Sequence, residues 1–392
     1  MTRHLLVSYH TCPMEEPGEG LAGGMNIFLR GLLKGLGAAG MPTDVVTRAA
    51  GETVEVTSPF HGVRIFHVPC FWEPSPTRES AWESLDVFVE KARLLLQGER
   101  IAPDVVSAHY WMSGVAARKL FRAPMLFSYH TVEARKAASG GGGDGPLSAA
   151  RREAEERLAL EAAAVVFFTG HDLEENLRFL PALAGKAFVI PPGVDERFRV
   201  PIPREVARSF LGLPAAGEIF LFAARRDSGK NLPEALDAFR KLRSRWDGKP
   251  ILLVAGQETD PGEMEDRVVC IGPVPHDSMA ALYSAVDAVI CPSRYESFGM
   301  VPLEALSAAV PVIVPEGTFW GGKVREEGGG LAYSPDDPDG LAGAMLSLAS
   351  APTLRARLSF TGPRVAEPFT WEKCTAAWRK LLASVSRSGG PR

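Results

Sequence analysis

Short apolar segments alternate with amphipathic ones along most of this chain, and this alternation limits the possible folds more than any other feature. The apolar segments are rich in β-branched and aromatic residues, which is typical of strands buried on both faces of a parallel sheet. In the first amphipathic segment, Leu29, Leu32, Leu33 and Leu36 recur at helical spacing, and Gly40 follows. Strand–helix alternation predicts right-handed βαβ units, and therefore an α/β fold.

The alternation runs through the chain twice, which predicts two doubly wound, Rossmann-like domains. The predicted strands are Leu5–Tyr9, Asp44–Thr47, Val63–Val68, Asp104–Ala108, Met125–Tyr129, Ala164–Thr169 and Ala187–Ile190, then Ile219–Ala223, Ile251–Ala255, Val268–Ile271, Ala288–Cys291 and Pro311–Val314. A length of 392 residues suits two domains. We predict an N-terminal domain over 1–192, a C-terminal domain over 193–370, and a terminal helix and tail over 371–392 that can pack on either. Ligands of such sheets bind at the carboxyl ends of the strands, so we expect the two domains to face a central cleft.

Charge and cysteine content exclude several classes of protein. Lys and Arg total 43 against 47 Asp and Glu, a net charge of −4, which argues against a general nucleic-acid-binding protein. The five cysteines are widely spaced without a CxxC pair, which argues against a disulfide framework or zinc site and fits a reducing cytoplasm. Signal-peptide and membrane-spanning patterns are not found, so we expect a cytoplasmic location. The oligomeric state is left open.

A glycine-rich segment, residues 18–26, follows the first predicted strand. Residues 18–23 match G-x-G-x-x-G, but eight residues separate Tyr9 from this match, which does not favour a dinucleotide site. The alternatives are a phosphate or sugar contact at Gly23 and Gly24, where backbone N–H groups meet a helix N-terminus, and a plain flexible turn.

Two cations follow the first strand of the second half. Arg225 offers a planar fork of donors and Lys230 a point charge, and both suit a diphosphate. The alternative is a solvated basic turn.

Two glutamates, Glu296 and Glu304, flank a turn and a helix start after the strand that ends at Cys291. Pro302 suits the first turn of a helix, so backbone N–H groups near Gly299–Val301 would attract phosphate. The two carboxylates could accept hydrogen bonds from hydroxyls on either side of a diphosphate. The alternative is that Glu304 complements the helix dipole and Glu296 is merely exposed.

Together these segments resemble the glycosyltransferases of family four, which have the GT-B fold. The stretch Glu296–Glu304 resembles the family's E-x7-E motif, and Arg225 and Lys230 resemble its diphosphate-binding cations. The resemblance implies a retaining hexosyltransferase that uses a nucleotide-sugar donor, with a UDP-sugar favoured, and that requires neither a metal nor another cofactor. It assigns the nucleotide-sugar to the C-terminal domain and the acceptor to the N-terminal domain.

Four segments of the N-terminal half are Gly23–Asn26, His109–Gly114, His130-Thr131 with Lys136, and Arg151-Arg152 with Glu155. They are similar to a narrower group in this family, which includes inositol-phosphate glycosyltransferases and sucrose-phosphate synthases. The family resemblance and this narrower likeness together imply three sets of site residues. The catalytic residues would be His130, Arg225, Lys230 and Glu296; the donor-binding residues Gly23, Gly24, Ser297, Phe298, Gly299, Met300, Val301 and Glu304; and the acceptor-binding residues Asn26, Arg78, Tyr110, Thr131 and Arg152. The register leaves Arg151 as the alternative to Arg152, which we favour. Glu133 departs from the group by placing an acid beside the acceptor pocket.

The resemblance also implies a mechanism. Attack would come from the front face of the donor sugar, with the leaving diphosphate helping to take the acceptor's proton, and His130 would hydrogen-bond the sugar. The predicted reaction transfers a hexose to a small polyol or sugar, phosphorylated or not. The alternatives are a nucleotide-sugar 2-epimerase of the same fold and a catalytically silent nucleotide-sugar-binding protein.

Overall fold

The computed structural model describes residues 2–18, 20–71, 77–141, 143, 145–200, 202–225, 227–256 and 266–388. The chain divides into two compact units. The first unit contains the chain up to Gly193, apart from a short segment at residues 16–19, and also the helix that begins at Trp371. The second unit contains that short segment and Val194–Thr370.

The first unit is built on an eight-stranded sheet. Its strands are β1 (His4–Ser8), β2 (Thr43–Ala50), β3 (Glu55–Thr57), β4 (Val63–Phe71), β5 (Val105–His109), β6 (Met125–Ser128), β7 (Ala164–Phe167) and β8 (Ala187–Val189). They lie in the order β3-β4-β2-β1-β5-β6-β7-β8, and every neighbouring pair is parallel except β3 and β4. The strand order reverses between β1 and β5, and this is the switch point of the sheet.

The second unit is built on a six-stranded, wholly parallel sheet. Its strands are β9 (Ile219–Ala223), β10 (Ile251–Ala255), β11 (Val268–Gly272), β12 (Ala288–Ile290), β13 (Val312–Pro315) and β14 (Gly330–Tyr333). The order is β11-β10-β9-β12-β13-β14, so the switch point lies between β9 and β12. The prediction of two doubly wound, Rossmann-like sheets is confirmed.

Helices cover both sheets. The first unit has α1 (Gly24–Ala38), α2 (Arg78–Glu83), α3 (Leu85–Gly98), α4 (Trp111–Leu120), α5 (Glu133–Ala138), α6 (Pro146–Glu161), α7 (Gly170–Leu177) and α15 (Trp371–Ser388). The second unit has α8 (Arg204–Phe210), α9 (Leu232–Arg245), α10 (Met279–Ala285), α11 (Met300–Ser307), α12 (Phe319–Glu327), α13 (Gly340–Ser350) and α14 (Pro352–Ala366). The four leucines predicted for one face of α1 are all fully buried. Within the described ranges, no helix combines the length and apolar character needed to cross a membrane.

Helix α15 packs closely against α1 in the first unit. A Cβ atom on Gly31 would lie 2.2 Å from the Trp371 ring, and one on Gly35 would lie 2.0 Å from Thr375 Oγ1. Both contacts are too short for real atoms, so glycine is required where the helices meet. Further along α15, Trp378 is fully buried.

We expect Gly31→Ala to destabilise the protein by about 1–3 kcal/mol, because the added methyl group overpacks this contact. Helix propensity alone predicts the opposite sign, a gain of about 0.5–1 kcal/mol for alanine. Gly343→Ala is the matched control, since Gly343 lies inside α13 with open space around its Cβ position. Urea unfolding of both variants measures the effects, and equal stabilisation by the two substitutions would contradict the close packing.

Candidate donor and acceptor sites

In the second unit, the carboxyl ends of β9 and β12 bring two predicted catalytic residues together. Lys230 Nζ donates to Glu296 Oε1 at 2.5 Å, although the residues are 66 positions apart in the sequence. Both side chains remain partly exposed, at 29% and 26%. The ion pair lies at the switch point of its sheet, where ligands of doubly wound folds bind.

A tight turn after β9 positions Lys230. Asp227 Oδ1 accepts a hydrogen bond of 2.9 Å from the Gly229 N–H, and Asn231 closes the turn with a left-handed backbone, φ 58°. Arg225, the other predicted cation, lies just before this turn, with Nη2 3.5 Å from Asp227 Oδ2. The turn therefore holds both cations at the end of the same strand.

The loop between β12 and α11 carries most of the predicted donor-binding residues. Gly299 adopts φ 89°, and a Cβ atom there would lie 2.9 Å from Trp320 Nε1. That indole N–H donates to the Gly299 carbonyl at 3.0 Å, so Trp320 supports the loop. Phe298 is buried against the Trp320 ring. The loop leads into α11, and its remaining predicted residues are all partly buried: Ser297, Met300 and Val301.

Glu304, predicted to contact the donor, is buried inside α11 with both oxygens engaged. Oε1 lies 2.9 Å from His276 Nε2, and Oε2 accepts from the Tyr283 hydroxyl at 2.9 Å. Burial and the nearby carboxylate raise the pKa of Tyr283 well above its usual value, so this hydroxyl keeps its proton. Sequence patterns gave no sign of His276 or Tyr283, because neither belongs to a local motif. A hydroxyl contact for Glu304 stays a prediction.

In the first unit, Gly23 and Asn26 form the start of α1. Asn26 Oδ1 accepts from the Gly23 N–H at 2.9 Å, and its Nδ2 donates to Thr11 Oγ1 and to the Cys12 carbonyl. Asn26 is fully buried, so it fixes the turn before Gly24 rather than facing solvent. The predicted roles of Gly23 and Gly24 toward the donor and of Asn26 toward the acceptor stay predictions.

Two predicted site residues in the first unit have left-handed backbone conformations near the carboxyl ends of neighbouring strands. Tyr110 follows β5 with φ 75°, and His130 lies just beyond β6 with φ 59°. Such a conformation is uncommon for residues other than glycine and costs energy, which the surrounding structure must supply. Here the Tyr110 N–H donates to the Ser128 carbonyl at 2.8 Å, which ties the two strand ends together.

His130 is paired with a second histidine. His109 Nδ1 lies 3.0 Å from His130 Nε2, and the Phe28 and Phe168 rings pack around His130. Burial lowers the pKa of His130 to about 3, and burial with the neighbouring imidazole lowers that of His109 well below its usual value. Both rings are therefore neutral near pH 7. His130 can offer a hydrogen bond to a sugar hydroxyl, but it does not carry a positive charge.

We expect the first unit to lose stability as the pH falls below about 6.5. His4 is buried between Thr43 Oγ1 and Ser107 Oγ, and burial lowers its pKa to about 3. In the unfolded chain His4 would take up a proton below about pH 6.5, so the unfolded state binds more protons between that pH and 3. Each buried neutral histidine of this kind lowers the free energy of unfolding by about 1.4 kcal/mol for every pH unit between about 6.5 and 3. The free energy of unfolding, measured with urea at several pH values, should depend less steeply on pH in His4→Gln than in the wild type. An unchanged pH dependence would contradict the low pKa of His4.

A buried arginine connects two of the predicted acceptor-binding residues. Arg151 Nη1 donates to the Tyr110 hydroxyl at 3.1 Å, and Nη2 donates to the Thr131 carbonyl and hydroxyl at 2.7 and 3.0 Å. Nε donates to Glu155 Oε1 at 2.7 Å, and Glu133 Oε2 lies 3.0 Å from Nη1. Glu155 belongs to the segment that resembles the narrower group, but it was not predicted as a site residue.

The sequence favoured Arg152 over Arg151 for the acceptor, and that role stays a prediction, but it is Arg151 that contacts Tyr110 and Thr131. Position 151 lies on the buried face of α6, together with Ala154 and Leu158, whereas position 152 is only partly buried. Arg152 makes no hydrogen bond or ion pair with the described residues. Arg78, the remaining predicted acceptor residue, begins α2 and is partly buried.

Comparisons with known proteins agree with the fold. Residues 23–193 match the family model described as glycosyl transferase 4-like domain, and residues 203–364 match the model described as glycosyl transferases group 1. D-inositol 3-phosphate glycosyltransferases from Rhodococcus erythropolis and Xylanimonas cellulosilytica are 30% and 29% identical to this chain. These alignments cover 99% and 98% of this chain, and 93% and 97% of the respective relatives. Sucrose-phosphate synthase from Thermosynechococcus elongatus superposes with a TM-score of 0.85 at 26% identity, covering 99% of this chain and all of that one.

The two doubly wound sheets and these matches define a glycosyltransferase of the GT-B fold. The chain belongs to glycosyltransferase family four, and the resemblance of its motifs to that family is confirmed.

Proposed function

We propose that this glycosyltransferase moves a hexose from a UDP-sugar to a small polyol or sugar acceptor, with retention of anomeric configuration and without a metal ion. The Lys230–Glu296 pair carries this proposal, because it joins a cation and a carboxylate at the switch point of the second sheet. The names of the relatives, an inositol-phosphate glycosyltransferase and a sucrose-phosphate synthase, support transfer over epimerisation and over silent binding.

On the donor side, catalysis depends mainly on the positive charges of Lys230 and Arg225. Lys230 and Arg225 would contact the two phosphates and stabilise the negative charge that develops as the sugar–phosphate bond breaks. Glu296 holds the Lys230 ammonium group in place, and its second oxygen can accept a hydrogen bond from the sugar. The loop residues Ser297–Val301 would bind the remaining phosphate oxygens.

Retention requires no protein nucleophile in this scheme. The acceptor hydroxyl attacks from the face that the diphosphate leaves, and an oxygen of the departing diphosphate takes the proton. Catalysis then depends on positioning and electrostatic stabilisation. His130, being neutral, would orient the donor sugar by a hydrogen bond, while Tyr110 and Thr131 would contact the acceptor.

Nucleotide binding is the first test of this function. We expect UDP to stabilise the protein in the presence of EDTA, and GDP and ADP to have smaller effects. A ligand at 100 times its Kd adds about 2.7 kcal/mol, which is easily seen as a shift in Tm. Turnover of the matching UDP-sugar with polyol and sugar acceptors, and NMR of the product, then report transfer and anomeric configuration. Stabilisation by no nucleotide would contradict donor binding, a requirement for Mg²⁺ would contradict metal independence, and an inverted product would contradict retention.

A further inference from the structure

The Arg151 guanidinium is already surrounded by partners that the protein itself supplies. A guanidinium has five N–H groups, and four of those on Arg151 donate to Tyr110, Glu155 and the two oxygen atoms of Thr131. Nη1 carries the fifth, and Glu133 Oε2 lies 3.0 Å from this nitrogen. A phosphate that approaches Nη1 would therefore have to compete with the Glu133 carboxylate, which forms an ion pair with that nitrogen.

The charges around Arg151 lead to the same conclusion. Two carboxylates flank the single guanidinium, and the three side chains are only 6% (Arg151), 5% (Glu133) and 2% (Glu155) exposed. Burial raises the pKa of Glu133, but the Arg151 charge and hydrogen bonds from Ser148 and the Gly143 N–H outweigh it and leave the pKa below its usual value. Glu133 is thus ionised at neutral pH. An incoming phosphate would meet a cation that is already neutralised.

The two carboxylates differ in what they hold. Glu155 accepts hydrogen bonds from the Glu133 N–H, at 2.8 Å, and from Arg151 Nε. It therefore joins α6 to the start of α5. Glu133 stands two residues after Thr131 at the first position of α5, and its Oε2 contacts the same Nη1 atom that binds the Tyr110 hydroxyl. Of the two, Glu133 is the carboxylate beside the predicted acceptor-binding residues.

We propose that Glu133 is a built-in anion that occupies Arg151, so that the acceptor group beside Tyr110 and Thr131 is an uncharged hydroxyl-bearing group and not a phosphate. This inference rests on the proposed function, since it concerns the acceptor of that reaction. Glu133 is then a specificity-determining residue. Its removal takes one of the two carboxylates away from Arg151 and leaves Glu155 as the single charged partner of the guanidinium.

Binding of inorganic phosphate to the whole protein provides the direct test. It is measured by calorimetry with the nucleotide that stabilises the protein present at saturation, because Arg225 and Lys230 could themselves bind free phosphate. We expect no measurable binding to the wild type. Glu133→Ala and the shape-conserving Glu133→Gln should bind phosphate measurably, at least about tenfold more tightly than the wild type, because a phosphate can then take the place of the Glu133 carboxylate beside Nη1. Glu153→Gln, at an exposed position on α6, is the control for the change in net charge.

A second measurement compares paired acceptors. The ratio of kcat/KM for D-inositol 3-phosphate to that for inositol should lie below one in the wild type and rise about tenfold in either Glu133 variant. Equal phosphate binding by wild type and variants, or a wild type that prefers the phosphorylated acceptor, would overturn the role of Glu133. The absence of nucleotide binding and of any donor turnover would instead overturn the proposed function, and phosphate binding would then be measured without nucleotide. If Glu133→Ala does not fold, Glu133→Gln and the wild-type measurements still decide the outcome.

Discussion

Replacing Lys230 by alanine is expected to lower kcat/KM for the donor by about 100- to 1,000-fold, the usual cost of removing one charge-stabilising donor from an active site. The variant also leaves Glu296, a carboxylate at the switch point, without its 2.5 Å partner. A diphosphate approaching this strand end would lose one attraction and meet an uncompensated negative charge. Donor binding and turnover should therefore fall together, as measured by the Tm shift with UDP and by initial rates.

Lys241→Ala is the matched control for this experiment. Lys241 lies on α9, the helix that follows the Lys230 turn, and forms ion pairs with Asp237 and Asp339 at the surface. Its removal deletes the same side chain from the same unit, so rates should stay within about twofold, as for ordinary surface substitutions. Full activity in Lys230→Ala would show that Lys230 does not contribute to donor binding or turnover.

Replacing Arg151 by methionine is expected to destabilise the protein by about 3–5 kcal/mol, because it leaves buried carboxylates without their cation. Methionine fills much of the volume of arginine, so the loss reflects charge more than packing. Glu133 and Glu155 would then repel each other. Urea unfolding monitored by circular dichroism measures the effect.

Two further variants test whether unpaired charge causes the loss of stability in Arg151→Met. Arg152→Met changes the neighbouring, partly exposed arginine and should shift the free energy of unfolding by no more than about 0.5 kcal/mol. Adding Glu133→Gln and Glu155→Gln to Arg151→Met should restore much of the stability, since no buried charge then remains unpaired. Equal losses in the two arginine variants would show that Arg151 is not the buried partner.

Most of the fold could be predicted because buried parallel strands leave a clear sequence pattern. The predicted strands Ile219–Ala223 and Ile251–Ala255 match β9 and β10 at both ends. Two strands could not be predicted. β3 is a three-residue, antiparallel edge strand with exposed side chains, so it lacks an apolar run. β14 begins with Gly330 after a glycine pair, a composition typical of a turn.

The candidate sites could be predicted only where a residue lies in the segment that connects the end of a strand to the next helix. Arg225, Lys230 and Glu296 satisfy that condition, and the sheet order brings the last two into contact. Local pattern could not distinguish Arg151 from Arg152, because the choice depends on which face of α6 is buried. Nor could it indicate that His276 and Tyr283 reach Glu304, since those contacts depend on tertiary packing.

The packing of α15 on α1 also affects how the protein is made. The ribosome must synthesise Val194–Thr370 before α15 emerges, which at about 5–20 residues per second takes on the order of ten seconds or more. During that time the nascent first unit lacks Trp378, whose ring centroid lies 5.9 Å from Phe28 and 5.4 Å from His109 in the finished structure. The half of the protein that is translated first is thus completed last, because Phe28 and His109 lack their Trp378 partner until α15 has been made.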